Sequence, residues 1–126
     1  MKISRKTICI VADDMFFSSK IETIARNIGI NTVKVKNREE LQKKTEGVSL
    51  DLVIIDLVSK KIDSEEAFTK FKKSSEHKKT FCIGYLPHVE LEIASKFKEK
   101  GVDLVIPKSK FSRQASTIIK KYLKPG

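Results

Sequence analysis

Four consecutive apolar residues, Leu52 to Ile55 inside the stretch DLVIIDL, leave an extended segment with no polar face for solvent. Both sides of such a strand must be covered by protein, which is the pattern of a central parallel strand. The run stops at a carboxylate, Asp56, and open α/β sheets place their ligands at the carboxyl ends of their strands. Asp56 is therefore the first candidate for chemistry.

Around this strand the chain alternates two periodicities. Thr7 to Ala12 is a short β-rich run. Ser18 to Ile28 follows with Ile21, Ile24, Ala25 and Ile28 on one helical face, and Gly29 supplies the stop. Thr32 to Val35 alternates Val with Lys, as a less buried edge strand does. Asn37 with Glu40 three residues on reads as a capping box opening a lysine-rich helix that closes near Gly47.

After the central strand a loop leads to a helix beginning near Ser64, with Ala67, Phe68 and Phe71 facing inward. Thr80 to Tyr85 is a fourth strand, Leu91, Ala94 and Phe97 mark a helix closed by Gly101, and Asp103 to Ile106 is a fifth strand. The last helix starts near Ser112 and carries Ala115, Ile118, Ile119, Tyr122 and Leu123 on one face. Five strands, each followed by a helix, imply right-handed crossovers and one parallel sheet covered on both faces. The fold expected is a flavodoxin-like α/β three-layer sandwich, strand order 2-1-3-4-5, formed by residues 1–126 as a single domain.

Charge is the unusual feature of the composition. Against 16 acidic residues stand 26 basic ones, a formal net charge of +10, and the arginines are only Arg5, Arg26, Arg38 and Arg113. Such a surplus suits an acidic partner or a polyanion, and it also suits a heat-adapted surface. The groups Lys70, Lys72, Lys73, Lys78 and Lys79, then Lys96, Lys98 and Lys100, then Lys120, Lys121 and Lys124 fall mostly on outer helix faces, where solvation is the default. Nucleic-acid binding stays open as a minor alternative, without interleaved arginines and aromatics to support it.

Cys9 and Cys82 lie in strands that are not neighbours in the proposed order, so buried free thiols and a reducing, cytoplasmic setting are expected. The opening MKISRKTICIVADD has a basic start, but Asp13 and Asp14 end its apolar run too early for a signal peptide. No stretch approaches the roughly 20 apolar residues of a membrane span.

The proposed order has its switch point between the first and third strands, where the turn Asp13-Asp14 and the loop beginning at Asp56 meet. Three carboxylates gathered there repel one another unless a cation offsets them. Oxygen ligands of this kind suit Mg²⁺, so Asp13, Asp14 and Asp56 are candidate metal ligands. Lys108, just past the fifth strand, is placed to neutralise a phosphoryl group. Each residue also has a plainer role: Asp13 and Asp14 suit helix caps, Asp56 a strand end, and Lys108 an ordinary exposed lysine.

Asp13-Asp14, Asp56, and Lys108 seven residues after Gly101 together resemble the receiver domain of two-component response regulators, over essentially the whole chain. The resemblance implies a signalling module rather than an enzyme. Asp56 would be the phosphoryl acceptor, Asp13 and Asp14 would help hold Mg²⁺, and Lys108 would contact the phosphoryl oxygens. A histidine kinase or another signalling protein would be the partner, with output through the fourth helix, fifth strand and fifth helix of a stand-alone receiver.

The sequence departs from that family in three places. The loop Leu57 to Ser64, LVSKKIDS, has neither the usual Pro nor the usual Gly. Gly84, Tyr85, Leu86 and Pro87 provide no aliphatic hydroxyl at the end of the fourth strand, and Lys108 is followed by Ser109 where a Pro is usual. Tyr85 either replaces that hydroxyl or packs at the strand end, and His88 is a minor candidate ligand at the mouth of the crevice. A pseudo-receiver, binding a partner without phosphorylation, is the alternative. Flavin binding is disfavoured, because two carboxylates after the first strand repel a phosphate.

Overall fold

The computed structural model describes residues 6–88 and 90–123. The basic opening at residues 1–5 and Lys124 lie outside these described residues. The chain runs β1 (Thr7–Val11), α1 (Met15–Asn27), β2 (Asn31–Val35), α2 (Arg38–Thr45), β3 (Leu52–Asp56), α3 (Ser64–Lys73), β4 (Phe81–Leu86), α4 (Leu91–Lys100), β5 (Leu104–Pro107) and α5 (Lys108–Tyr122). All the strand pairs are parallel, in the order β2-β1-β3-β4-β5.

Side-chain alternation along the strands divides the interior into two cores. Ile8, Ile10, Leu52, Ile54, Ile83 and Ile106 face one way and meet Phe17, Ile21 and Ala25 of α1 and Phe111, Ala115 and Ile119 of α5. Cys9, Val11, Val53, Ile55 and Cys82 face the other way, against Leu41 of α2, Phe68 and Phe71 of α3 and Phe97 of α4. Because β3 feeds both cores, Leu52 to Ile55 are all at most 2% exposed, as a run with no polar position requires.

Several local readings carry through. The Asn37 side chain accepts from the Glu40 amide at 3.0 Å, and the Glu40 carboxylate accepts from the Lys36 amide, so the two ends of the α2 cap are tied to each other. Gly29 takes φ 78° after α1, and the amide of Ile30 reaches back to the Ala25 carbonyl at 2.9 Å, which closes the helix. Cys9 and Cys82 are free and buried, separated by Val53 in the sheet ladder. Burial pushes the Cys9 thiol up to about 12 and the Cys82 thiol up as well, so neither is a reactive thiolate.

Two helices begin earlier than periodicity alone places them. α1 starts at Met15 instead of Ser18 because Asp14 caps it, its carboxylate accepting from the Phe17 amide at 3.1 Å. α5 starts at Lys108 instead of Ser112, and the backbone is irregular at Gln114, where φ is -114° and ψ 18°. An irregular residue inside the helix breaks its apolar period, so its first turn is not visible to a pattern count.

Candidate functional site

The site is built at the carboxyl rim of the sheet, where every parallel strand ends and every following helix begins. Leu52 and Ile54 face the core under α1 and α5, so Asp56, two residues on, projects to that same side at the end of β3. One step beyond the last β1–β3 pair, Val11 with Ile55, the residue level with Asp56 is Ala12, which is 1% exposed and apolar. The carboxylates of the first crossover therefore come one and two positions later, on the turn into α1.

Asp14 is engaged at both oxygens. One accepts from the Phe17 amide and the other from the Lys108 ammonium at 2.8 Å. That lysine, together with the capping amide, holds the Asp14 carboxyl below the usual carboxylate range. The Lys108 ammonium also lies 5.2 Å from the centroid of the Phe17 ring. Asp13 turns toward the loop after β3, accepting from the Lys61 amide at 3.3 Å.

Asp56 is half-buried, and one of its oxygens accepts from the Val58 amide at 3.0 Å. Its carboxyl is raised above the ordinary value, first by burial, with the charges of Asp13 and Asp14 adding to the rise. The Val58 amide and the Lys108 charge oppose it. Three acidic side chains and one ammonium from three segments of the chain are thus within electrostatic reach at one rim. The switch-point convergence expected of strand order 2-1-3-4-5 is met.

The loop that lacks Pro and Gly is ordered by side chains instead. The Ser64 hydroxyl donates to the Asp56 carbonyl, the Ser59 hydroxyl accepts from the Ile62 amide at 3.1 Å, and Ile62 is buried. On the far face of the sheet Leu57 lies over Gly84, where a Cβ would sit 2.7 Å from the Leu57 methyls. A side chain at position 84 would oblige Leu57 to move.

The three carboxylates expected to hold a metal are engaged unequally. Among the described residues no group of three or more His, Cys, Asp or Glu is arranged to hold a metal ion. Each Asp14 oxygen already has a partner, the Phe17 amide for one and the Lys108 ammonium for the other. Asp13 and Asp56 each use one oxygen on a backbone amide among the described residues, which leaves the second oxygen of each. Mg²⁺ takes one or two carboxylates and keeps its waters, so this pair fits it.

His88 is exposed beyond β4. Of the lysine groups, Lys70, Lys73, Lys78, Lys79, Lys96, Lys98, Lys100, Lys120 and Lys121 are exposed. Lys72 is half-buried and donates to the Thr80 carbonyl at 2.9 Å. A cavity of about 390 Å³ between α2 and α3, which Leu41, Phe71 and His77 help to line, includes none of the rim residues. No helix among the described residues is long and apolar enough to cross a membrane.

Sequence reading missed one feature of the rim. Phe16 is 93% exposed and Leu91 81%, with Met15 and Val58 partly so, and they sit at the starts of α1 and α4 and in the loop after β3. Starting α1 at its Asp14 cap would have exposed the signal, because Phe17, Ile21 and Ala25 then share the inner face and Phe16 falls off it.

Structural comparison is decisive for the architecture. A response regulator from Hahella chejuensis superimposes with a TM-score of 0.84 at 18% identity, covering 94% of this chain and 96% of that one. The chain has the receiver-domain fold.

A CheY-like receiver domain protein from Methanospirillum hungatei shares this receiver fold at TM-score 0.83 and 23% identity, over 95% of this chain and 94% of that one. The phosphorylated cyanobacterial phytochrome response regulator RcpA does so at 0.81 and 19%, over 96% of each chain. The sequence matches no protein-family model and no curated protein. The likeness to receivers therefore lies in the fold, and the rim chemistry has to be argued from this chain's own residues.

Proposed function

We propose that this chain is a receiver module in signal transduction, with Asp56 accepting a phosphoryl group and a partner protein reading the result. The supporting observation is the meeting of Asp13, Asp14, Asp56 and Lys108 at one carboxyl rim, with the Asp56 carboxyl raised first by burial and further by its acidic neighbours.

Asp56 attacks through a carboxylate oxygen, and the Val58 amide fixes the side chain in place. That oxygen attacks the phosphorus of a donor in line, the bond from phosphorus to the leaving group breaks, and the leaving group keeps the electron pair. Lys108 supplies positive charge to the phosphoryl oxygens, exchanging its Asp14 contact for them as negative charge builds on the other side of the crevice. Asp13 and Asp56 would hold Mg²⁺, which neutralises phosphoryl charge when bound.

The donor is a histidine kinase or another phosphorylated signalling protein. Output passes through contact, and the exposed apolar residues Met15, Phe16, Val58 and Leu91 surround the same rim with surface suited to a protein partner.

Intact mass after incubation with acetyl phosphate and Mg²⁺, compared with Asp56→Asn and with a control receiver, tests this reading. Gain of one phosphoryl group by the native chain alone is the expected result. An unchanged mass under conditions that label the control removes Asp56 as an acceptor.

A further inference from the structure

The floor of the acidic crevice carries a donor that no contact explains. Tyr85 is the β4 residue paired in register with Asp56, and it projects to the same face, in the core shared with Ile83. Its ring is held between α1 and α5, with its centroid 4.5 Å from that of Phe17 and 6.4 Å from that of Phe111. The residue is 1% exposed, yet among the described residues its hydroxyl has no hydrogen-bond partner.

A buried hydroxyl without a partner is costly, and Phe would fill the same ring site without that cost. Tyrosine is therefore unexplained by packing. Burial first, and then the charges of Asp56, Asp14 and Asp13, hold its proton on. It stays a donor on the strand position paired with the acceptor residue, and the adjacent strand end, Leu86-Pro87, supplies no other side-chain hydroxyl.

We propose that Tyr85 is an oxyanion-positioning residue: its buried hydroxyl donates a hydrogen bond to the oxyanion formed when a phosphoryl group, or a phosphoryl-like anion, is attached to Asp56. The bond forms from a fixed ring and costs little reorganisation when the anion arrives. No proton is transferred; the phosphoryl oxygen replaces a missing partner. This rests on the phosphoacceptor reading of Asp56.

The chain has no tryptophan and two tyrosines, so its own absorbance and emission report the test. In a Tyr122→Phe background Tyr85 is the sole tyrosine. Adding beryllium trifluoride with Mg²⁺, an acyl-phosphate mimic, is expected to shift the Tyr85 absorbance and emission, and Asp56→Asn is expected to abolish the shift. In the native background Tyr85→Phe is expected to unfold at a higher temperature, still to accept phosphate from acetyl phosphate, and to do so about tenfold more slowly, as the loss of one charge-assisted hydrogen bond gives.

Equal labelling rates in native protein and Tyr85→Phe, with no spectral change at Tyr85, would reduce Tyr85 to packing and leave Asp56 an acceptor. Absence of both labelling and beryllofluoride binding in the native chain overturns the two readings together. The spectral measurement uses native Tyr85, so it decides the matter even where the variant folds poorly.

Discussion

The Lys108 ammonium donates to the Asp14 carboxylate at 2.8 Å, joining the first residue of α5 to the cap of α1 across 94 positions of sequence. Lys108 is thereby held beside Asp56 while bonded to another acid. The pair sets how much positive charge Asp56 feels, and its consequences are measurable.

Asp14→Asn keeps an oxygen for the Phe17 amide and removes the charge that holds Lys108. Both side chains of the pair are more than a third exposed, so the stability loss is expected to stay below about 1 kcal/mol. The Asp56 carboxyl should titrate at lower pH, because a repelling charge is lost and Lys108 is freed to act on it. Carboxyl NMR titration reads this directly; an Asp56 titration unchanged or moved upward contradicts the coupling.

Asp56 also dictates a pH dependence. Its folded pKa is raised, so between the unfolded and folded values the native state binds more protons than the unfolded chain. This group's contribution to stability accordingly falls as pH rises through that window, and stays unfavourable at neutral pH. Asp14, with a depressed folded pKa, works the other way: its contribution is present above the unfolded carboxylate value and is lost as pH falls through the folded one. Urea unfolding at pH 7 should give Asp56→Asn a higher midpoint than the native chain, and the difference should shrink toward acid pH.

Magnesium should stabilise the folded chain through Asp13 and Asp56. Free ion at tenfold over its dissociation constant adds about 1.4 kcal/mol, read as a rise in Tm. Asp56→Asn should remove that rise and Asp13→Asn reduce it, whereas Asp14→Asn should leave the ion's affinity within about threefold. Equal loss in all three variants would make Asp14 a ligand alongside Asp13 and Asp56.

Gly84→Ala brings a methyl to 2.7 Å from the Leu57 side chain, and overpacking of this kind costs about 1–3 kcal/mol. Leu57→Ala alone is expected to cost about 2–5 kcal/mol through the cavity it leaves. The double variant should then be more stable than the summed losses by at least about 1 kcal/mol, since the two changes relieve each other. Chemical denaturation of the four proteins supplies the cycle.

The architecture was largely legible because strands and helices write their burial into the sequence. The unbroken run Leu52 to Ile55 placed β3 at the centre, and the Val-Lys alternation of β2 placed it at an edge, as the ladder has them. The helix starts at Met15 and Lys108 were less legible, since a single cap oxygen sets the first and an irregular residue interrupts the second. Asp13, Asp56 and Lys108 could be picked out as rim residues from strand ends alone. That Asp14 rather than Asp13 caps α1 and bonds Lys108, or that the Tyr85 hydroxyl has no partner among the described residues, could not.

By itself the sequence determined the sheet, its two covered faces and the gathering of acidic groups at one rim. Those follow from which residues repel water and at what period, a property each segment carries alone. Only the tertiary structure decided that apolar Ala12 lies level with Asp56, that Lys108 bonds Asp14, and that the Tyr85 hydroxyl is buried with no partner among the described residues. The reason is one of scale: burial is fixed over whole turns and strands, whereas a hydrogen bond is made or missed within about half an ångström, between groups that only the packed chain brings together.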